Sequence, residues 1–496
     1  MTNQKPPKSA ISRAWRAAAF AVLVIPVLVL ALMSTPAAAA ATEEAALKVA
    51  LTGKYPPFST YDEEGNLIGF DVDVSRAVAR HLGRELELVT TEWDGILAGL
   101  LAGKYDAIIG SMAITEERKR MVEFSAPYYE SGAQLFVHEK YSGELGSIAD
   151  CYGKPLGVVL GETFEHYLRE HHPEVNTVTY KSTVDIFQDV ANGRLVGFVS
   201  DRLLGAYQIK QAGMPFSPAG DLLYTEKMAI PVVKEEPELL AQINGALADM
   251  RASGELGALF DKWFGLAKEP AAAREDTSKI KTGTVVQMLG RGFAITLFVA
   301  ATSLLLGFIF AIPMGIVLNS QRLAWRWVLR AFNDFVRGTP VLIQLFFVYF
   351  GSGQIGLNLS PITAAVVTLT INASAYMAEV VRSGLMSVDP GQSLAARALG
   401  LTRVQTFTSV VWPQAFRIAM PPLMNSVVAL LKDTALISVI SVGEVVREAQ
   451  AIISVTFNPM KYYLIVAVMF FIVAFPLMKL ADRLERTIRK RGFAHD

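Results

Sequence analysis

The sequence predicts two classes of structure in series: a two-lobed α/β domain, then an all-α domain of about five membrane-crossing helices. Three observations predict it. Strand-like and helix-like runs alternate from about Ala45 to Lys268, the pattern of parallel strands joined by crossover helices. Long apolar runs occupy the chain from Phe293 onward. The mean hydropathy of +0.35 over 496 residues exceeds that of a soluble globule and requires part of the chain to lie in lipid.

Composition excludes several classes. The 46 basic and 46 acidic residues cancel, leaving no excess positive charge to hold a nucleic-acid backbone, so no nucleic-acid partner is expected. The lone Cys151 rules out an intrachain disulfide and a cysteine-clustered metal site, and no metal is expected. At the N-terminus, Lys5, Lys8, Arg13 and Arg16 precede an apolar run from Ala17 to Met33, and Ser34-Thr35-Pro36 leads into Ala37 to Ala41. That order is a secretory signal over residues 1–41, cut near Ala41. An uncut anchor helix is the alternative, because about 17 to 20 apolar residues just span a bilayer. Either outcome exports the α/β domain.

That domain is assigned to residues 42–268. Leu47 to Leu51 and Ala107 to Gly110 read as strands and Val72 to Leu82 as a helix. Residues 269–283, EPAAAREDTSKIKTG, lack apolar periodicity and read as a linker that reaches roughly 50 Å at most. Residues 284–491 carry the apolar runs Phe293 to Leu318, Val341 to Tyr349, Pro361 to Ala378, Pro421 to Leu431 and Tyr462 to Met478, read as five passes. Arg322, Arg326, Arg330 and Arg337 separate the first two. Arg382, Arg397, Arg403 and Arg417 separate the third from the fourth, and the tail holds Lys479 to Arg491. The bias of positive charge places these segments in the cytoplasm. With five passes the first helix then starts outside, where an exported domain would precede it.

Within the α/β region stand Tyr55-Pro56-Pro57-Phe58, Gly69-Phe70-Asp71-Val72-Asp73, Trp93-Asp94-Gly95, Ile114-Thr115-Glu116-Glu117-Arg118 and Phe124-Ser125-Ala126-Pro127-Tyr128-Tyr129. Through them residues 47 to 266 resemble the amino-acid-binding proteins of ATP-binding-cassette (ABC) importers, family 3 of the solute-binding proteins. The resemblance implies a type II periplasmic-binding-protein fold. One lobe is built from about residues 45–135 and 230–268, the other from the sequence between, and a hinge closes them on a ligand.

An amino acid offers a carboxylate, an ammonium and a variable side chain, so its site needs a planar cation, an anion and a shaped wall. Arg118 matches the family arginine that clamps the α-carboxylate, its parallel donors fitting both oxygens. Read alone, it is a solvated charge behind the helix cap Thr115. Asp201 aligns with the second-lobe aspartate that takes the α-ammonium, although the usual Asp-Ala pair before it is here Val196-Gly197; its other reading is a cap for the next helix. Ser111 and the turn Gly161-Glu162-Thr163 are placed to add hydroxyl and backbone donors. Ala113 stands where many relatives have serine or threonine, which removes one hydrogen bond. Tyr55 and Trp93 match the aromatics that flank the ligand side chain, or are ordinary core. Thr52 stands where binders of basic amino acids often carry aspartate, so the resemblance favours a polar, uncharged side chain.

Residues 284 to 490 resemble the permease domain of polar amino-acid importers. The resemblance rests on Arg337-Gly338-Thr339-Pro340, Ala378-Glu379-Val380-Val381-Arg382-Ser383-Gly384, Trp412-Pro413-Gln414-Ala415 and Leu430-Leu431-Lys432-Asp433-Thr434. Gly391 to Gly400 matches the segment that docks into a groove of the ATPase, with Ala395, Ala396 and Gly400 small enough for close approach and Gly400 able to end a helix. Leu394 replaces the glutamate usual there, which puts a salt bridge to the ATPase in doubt. Lys432 and Asp433 mark either a break in the fourth helix or a substrate contact. No GxxxxGK[ST] sequence occurs, so ATP is expected to be used by a separate ABC ATPase and no cofactor by this chain. The resemblance implies a homodimer, since on the family's architecture one copy has too few helices to line a passage. The whole reads as an amino-acid importer of the cytoplasmic membrane and not as an enzyme. An amino-acid-gated ion channel or sensor is the alternative, against which both lobes finish before the first membrane run and no TVGYG filter occurs.

Overall fold

A nearly unbroken apolar run, with Lys48 alone turned outward, makes β1 (Leu47–Leu51) the central strand of the first sheet. The computed structural model describes residues 46–265, 280–320, 325–456 and 458–490. The expected signal and most of the expected linker lie outside these residues. After the hairpin of β2 (Thr60–Tyr61) and β3 (Leu67–Ile68) comes helix α1 (Phe70–His81), and β1 pairs in parallel with β4 (Leu86–Thr90) and β5 (Ala107–Ile108). Parallel pairing needs crossovers, which α1 and α2 (Trp93–Leu101) supply. In α1, Asp71 and Asp73 occupy the first turn and Arg80 and His81 the last, each sign opposite to the helix dipole. The short α3 (Glu116–Lys119) and β6 (Glu123–Phe124) complete this part of the lobe.

Strand β7 (Tyr129–His138) then enters a second sheet with β8 (Pro155–Val159), β9 (Asn176–Tyr180), β10 (Gly197–Asp201) and β11 (Phe216–Met228), in the order β11-β7-β10-β8-β9. Helices α4 (Thr163–His171), α5 (Thr183–Ala191) and α6 (Arg202–Ala212) cross between its strands. The chain returns along β11 to β12 (Pro231–Val232), which pairs with β6, and ends the domain with α7 (Pro237–Ala252) and α8 (Glu255–Phe264). Two strands, β7 and β11, therefore join two lobes divided near residues 130 and 230, as the sequence implies. Phe58, Phe70, Tyr128, Tyr129 and Phe264 fill the first core, and Phe136, Phe187, Phe198 and Phe216 the second. Burial of each such ring is worth about 1.5–3 kcal/mol.

Among the described residues, four helical spans are long and apolar enough to cross a membrane: α9 (Thr282–Asn319), α12 (Pro361–Met386), Arg403–Ile440 and Pro459–Ile488. The expected second pass differs. Here α10 (Trp325–Gly338) and α11 (Val341–Gln354) bend by 107° at Thr339-Pro340, and the passes number five only if this bent pair is one span. Proline lacks the amide a continuous helix needs and pushes the preceding residue out of the helical region. The segments α13 (Pro390–Ala398) and α14 (Arg403–Thr406) precede α15 (Trp412–Asp433), which passes into a 3-10 turn at Thr434 directly after Lys432 and Asp433. At that pair the helix tightens from α to 3-10 without leaving the span Arg403–Ile440. Helices α16 (Val445–Thr456) and α17 (Pro459–Lys490) finish the chain. Among the described residues, one compact unit falls within Ala41–Gly292 plus Val439–Leu464, and the other within Phe293–Ser438 plus Ile465–Asp496.

Small residues set the spacing in the second of these. A Cβ on Gly384 of α12 would stand 2.7 Å from the Ala415 carbonyl oxygen and 3.0 Å from the Ala419 Cβ on α15. Helices inside lipid gain their association from such close packing, because burial from the lipid tails gives no hydrophobic driving force.

Candidate functional site

Strand ends and helix starts of the two lobes meet at a cleft of about 600 Å³, counting its open mouth. Thr115 accepts a hydrogen bond from the Arg118 amide (3.1 Å) and caps α3. The cap does not leave Arg118 in solvent. Its Nη1 donates to the Ala113 carbonyl (2.9 Å), its Nη2 to the Gly161 carbonyl of the other lobe (3.3 Å), and the guanidinium carbon lies 5.6 Å from the centre of the Trp93 ring. Capping and cleft lining hold together in one motif.

Tyr55, Trp93, Ser111, Ala113 and Thr163 line the same cleft as Arg118. Tyr55 also stacks on Phe58 at 5.2 Å and, like Trp93, packs against the core, so the two readings of these aromatics coexist. Two expected donors are already engaged. The Ser111 hydroxyl donates to Asp71 (2.7 Å), which also accepts from the Tyr128 hydroxyl (2.7 Å), and the Gly161 amide donates to Glu165 (2.7 Å). Burial pushes the Asp71 carboxyl up to about 7 despite these bonds. Asp201 is absent from the cleft lining. It sits at the end of β10, where Oδ1 accepts from Ser131 (2.8 Å) and from the Leu203 amide at the start of α6 (2.7 Å), as a helix cap does, while Oδ2 has no partner among the described residues. Burial raises this carboxyl to about 6.

Sequence reasoning missed two acids in the cleft, Glu162 and Glu226. Glu162 stands inside a turn read for its backbone donors, and an acid just before a helix start was the available signal. Burial, reinforced by Glu226, raises Glu162 to about 8; burial, reinforced by Asp201 and opposed by a Thr163 hydrogen bond, raises Glu226 to about 7; the Oε2 of each lacks a hydrogen-bond partner among the described residues. Also missed was a buried cluster beside Trp93. Lys54 Nζ (2.6 Å) and Arg447 Nη1 (2.9 Å) both donate to Glu92 Oε1, and Lys54 Nζ donates to Gln450 Oε1 (2.9 Å). Arg447 and Gln450 belong to α16, more than 350 residues along the chain, so no local pattern could announce the contact. Burial opposes ionisation of Glu92, but the two facing cations and the Lys54 hydrogen bond hold its carboxyl below the usual range.

In the other unit, Asp389 accepts from the Gly391 amide (2.6 Å) to cap α13. Ala396 is buried, Ala395 is exposed, and Gly400 has a φ of +87° with no atom near its Cβ position, a conformation that costs other residues about 1–2 kcal/mol. Met386, Leu394, Leu399 and Val404 are exposed around this segment.

Residues 47–266 match the bacterial extracellular solute-binding proteins, family 3, and residues 303–490 the binding-protein-dependent transport system inner membrane component. The L-cystine-binding protein TcyJ of Escherichia coli K12 is 36% identical over 223 residues, covering 45% of this chain and 84% of that protein. The probable glutamine ABC transporter permease protein GlnP of Bacillus subtilis 168 is 36% identical over 197 residues, covering 39% of this chain and 90% of that one. The chain belongs to the amino-acid ABC transporters. Among solved structures, holo ArgBP from T. maritima is 33% identical, with a TM-score of 0.40, covering 44% of this chain and 95% of that chain. This ABC transporter component joins a solute-binding half to a permease half, both of them parts of transport proteins.

Proposed function

We propose that the chain imports a polar amino acid across the cytoplasmic membrane. Its receptor half, residues 42–268, stands on the extracytoplasmic side and is tethered by residues 269–283 to the permease half, residues 284–491. A separate ABC ATPase hydrolyses ATP and docks on the segment around Gly391, Ala395, Ala396 and Gly400, and two copies of the chain complete the passage. The observation that carries this reading is the Arg118 guanidinium at the lobe boundary, in the cleft with Trp93 and hydrogen-bonded to Gly161 of the other lobe. A ligand carboxylate engaging the remaining donors of that fork would hold both lobes, and closure would result from binding. Asp201, whose second oxygen lacks a partner among the described residues, supports a place for the α-ammonium once the lobes close. The exposed apolar surface around α13 supports a partner there, because contiguous apolar patches mark interaction sites. The relatives' printed names, for L-cystine and glutamine, support an amino acid as cargo.

The test is uptake into proteoliposomes holding the full chain and its cognate ATPase. Amino-acid accumulation that needs both ATP and Arg118 supports the proposal. Uptake that persists without the ATPase contradicts it.

A further inference from the structure

The cleft holds more anionic capacity than a zwitterion can use. Glu162 is 8% exposed, lines the cleft and leaves Oε2 without a hydrogen-bond partner among the described residues; Glu226 lines it too and leaves its own Oε2 unpartnered. The buried Asp201, outside the cleft lining but close enough for its charge to act on both, also keeps Oδ2 unpartnered among the described residues. The cations nearby do not answer these atoms. Arg118 directs its Nη hydrogen bonds at the carbonyls of Ala113 and Gly161, and Lys54 is engaged by Glu92 and Gln450. Among the described residues, Arg118 is the cation that acts on Glu162 and Glu226, whereas Lys181, which also lines the cleft, acts on Glu92, and buried carboxylates are costly unless a cation or donor meets them. An α-carboxylate would occupy Arg118 and an α-ammonium one of the acids, which leaves a pair of acids for something else.

We infer that Glu162 and Glu226 receive a second cation, the amine or guanidinium on the side chain of the bound amino acid, so that the receptor half selects cationic amino acids over neutral ones. This rests on the receptor reading proposed for the cleft and reverses the sequence-based expectation of an uncharged side chain. Both acids come from the second lobe, Glu162 just ahead of α4 and Glu226 on β11. Burial that raises both carboxyls fits a site that ionises fully only when a cation enters.

The test is calorimetry on the full chain in lipid nanodiscs with L-arginine, L-lysine, L-citrulline and L-glutamine; citrulline has nearly the shape of arginine without its charge. Arginine or lysine is expected to bind at least about tenfold more tightly than citrulline or glutamine. The Glu162→Gln, Glu226→Gln double variant should lose that preference. Because glutamine is nearly isosteric with glutamate, the variant's fold is checked by circular dichroism, and a second measurement on the unaltered protein is independent of any variant: arginine binding near pH 7.5 should release protons, seen as a dependence of the binding heat on the buffer. Citrulline or glutamine binding as tightly as arginine overturns the cation site while leaving the receptor reading intact. No binding of any amino acid overturns both.

Discussion

At the residue scale, the cleft is a set of buried ionisable groups, and burial raises the carboxyls of Glu162 and Glu226. Arg118→Ala should raise Kd for the cognate amino acid at least about thirtyfold, since truncating one partner of a desolvated charge pair costs about 2–5 kcal/mol; Arg118→Lys should recover part of that loss, and titration calorimetry reads both. The raised carboxyls give a sign for pH. Glu162 sits near 8 in the folded protein against an ordinary 4.5, so its contribution to stability is complete below about 4.5 and is lost as pH rises through about 8. The groups that face it are Glu226, Arg118 and Asp201. The unfolding temperature of the empty protein should therefore fall between pH 5 and pH 9, and Glu162→Gln should flatten that slope; an unchanged slope counts against a buried, protonated Glu162. Arg118, Tyr55 and Trp93 were legible from sequence because each stands inside a run of several matching residues. Glu226 was not, because it lies on a long strand whose neighbours gave no motif, and only the pairing of β11 with β7 carries it to the cleft.

At the element scale, α12 and α15 depend on the absence of a side chain at Gly384. Gly384→Leu should destabilise the protein by about 1–3 kcal/mol through overpacking, read as a lower unfolding temperature in detergent, with ligand affinity in the receptor half unchanged. Gly400→Trp should abolish uptake while leaving amino-acid binding intact, because a bulky side chain at a positive φ disturbs the segment assigned to the ATPase. Normal transport by that variant removes the docking assignment. Elements were readable where period and length agreed, as in β1 and α1. The second membrane pass was not read as bent, because the apolar run at Val341 to Tyr349 reports lipid compatibility and says nothing of direction. Pro340 marks the place of the bend, but Pro313, Pro421, Pro422 and Pro476 lie inside continuous helices, so a proline alone did not single it out. The contact of Arg447 with Glu92 was beyond reach for a different reason: it joins residues far apart in sequence, and an ion pair has no periodicity.

At the scale of the whole molecule, fusing receptor and permease in one chain replaces a bimolecular encounter with a local one, typically at an effective concentration of millimolar order. The arrangement requires the two-lobed half and the segment of Gly391 to Gly400, with Arg382, Arg397, Arg403 and Arg417 in and around it, to stand on opposite sides of the lipid. Site-specific labelling with a membrane-impermeant maleimide tests this most directly, in a Cys151→Ser background, since Cys151 is the sole native thiol and is buried. Glu144→Cys, exposed in the receptor half, should label in intact spheroplasts, whereas Gln392→Cys, exposed on α13, should label only after the membrane is opened. Labelling of Gln392→Cys in intact spheroplasts, or protection of Glu144→Cys there, would contradict the account.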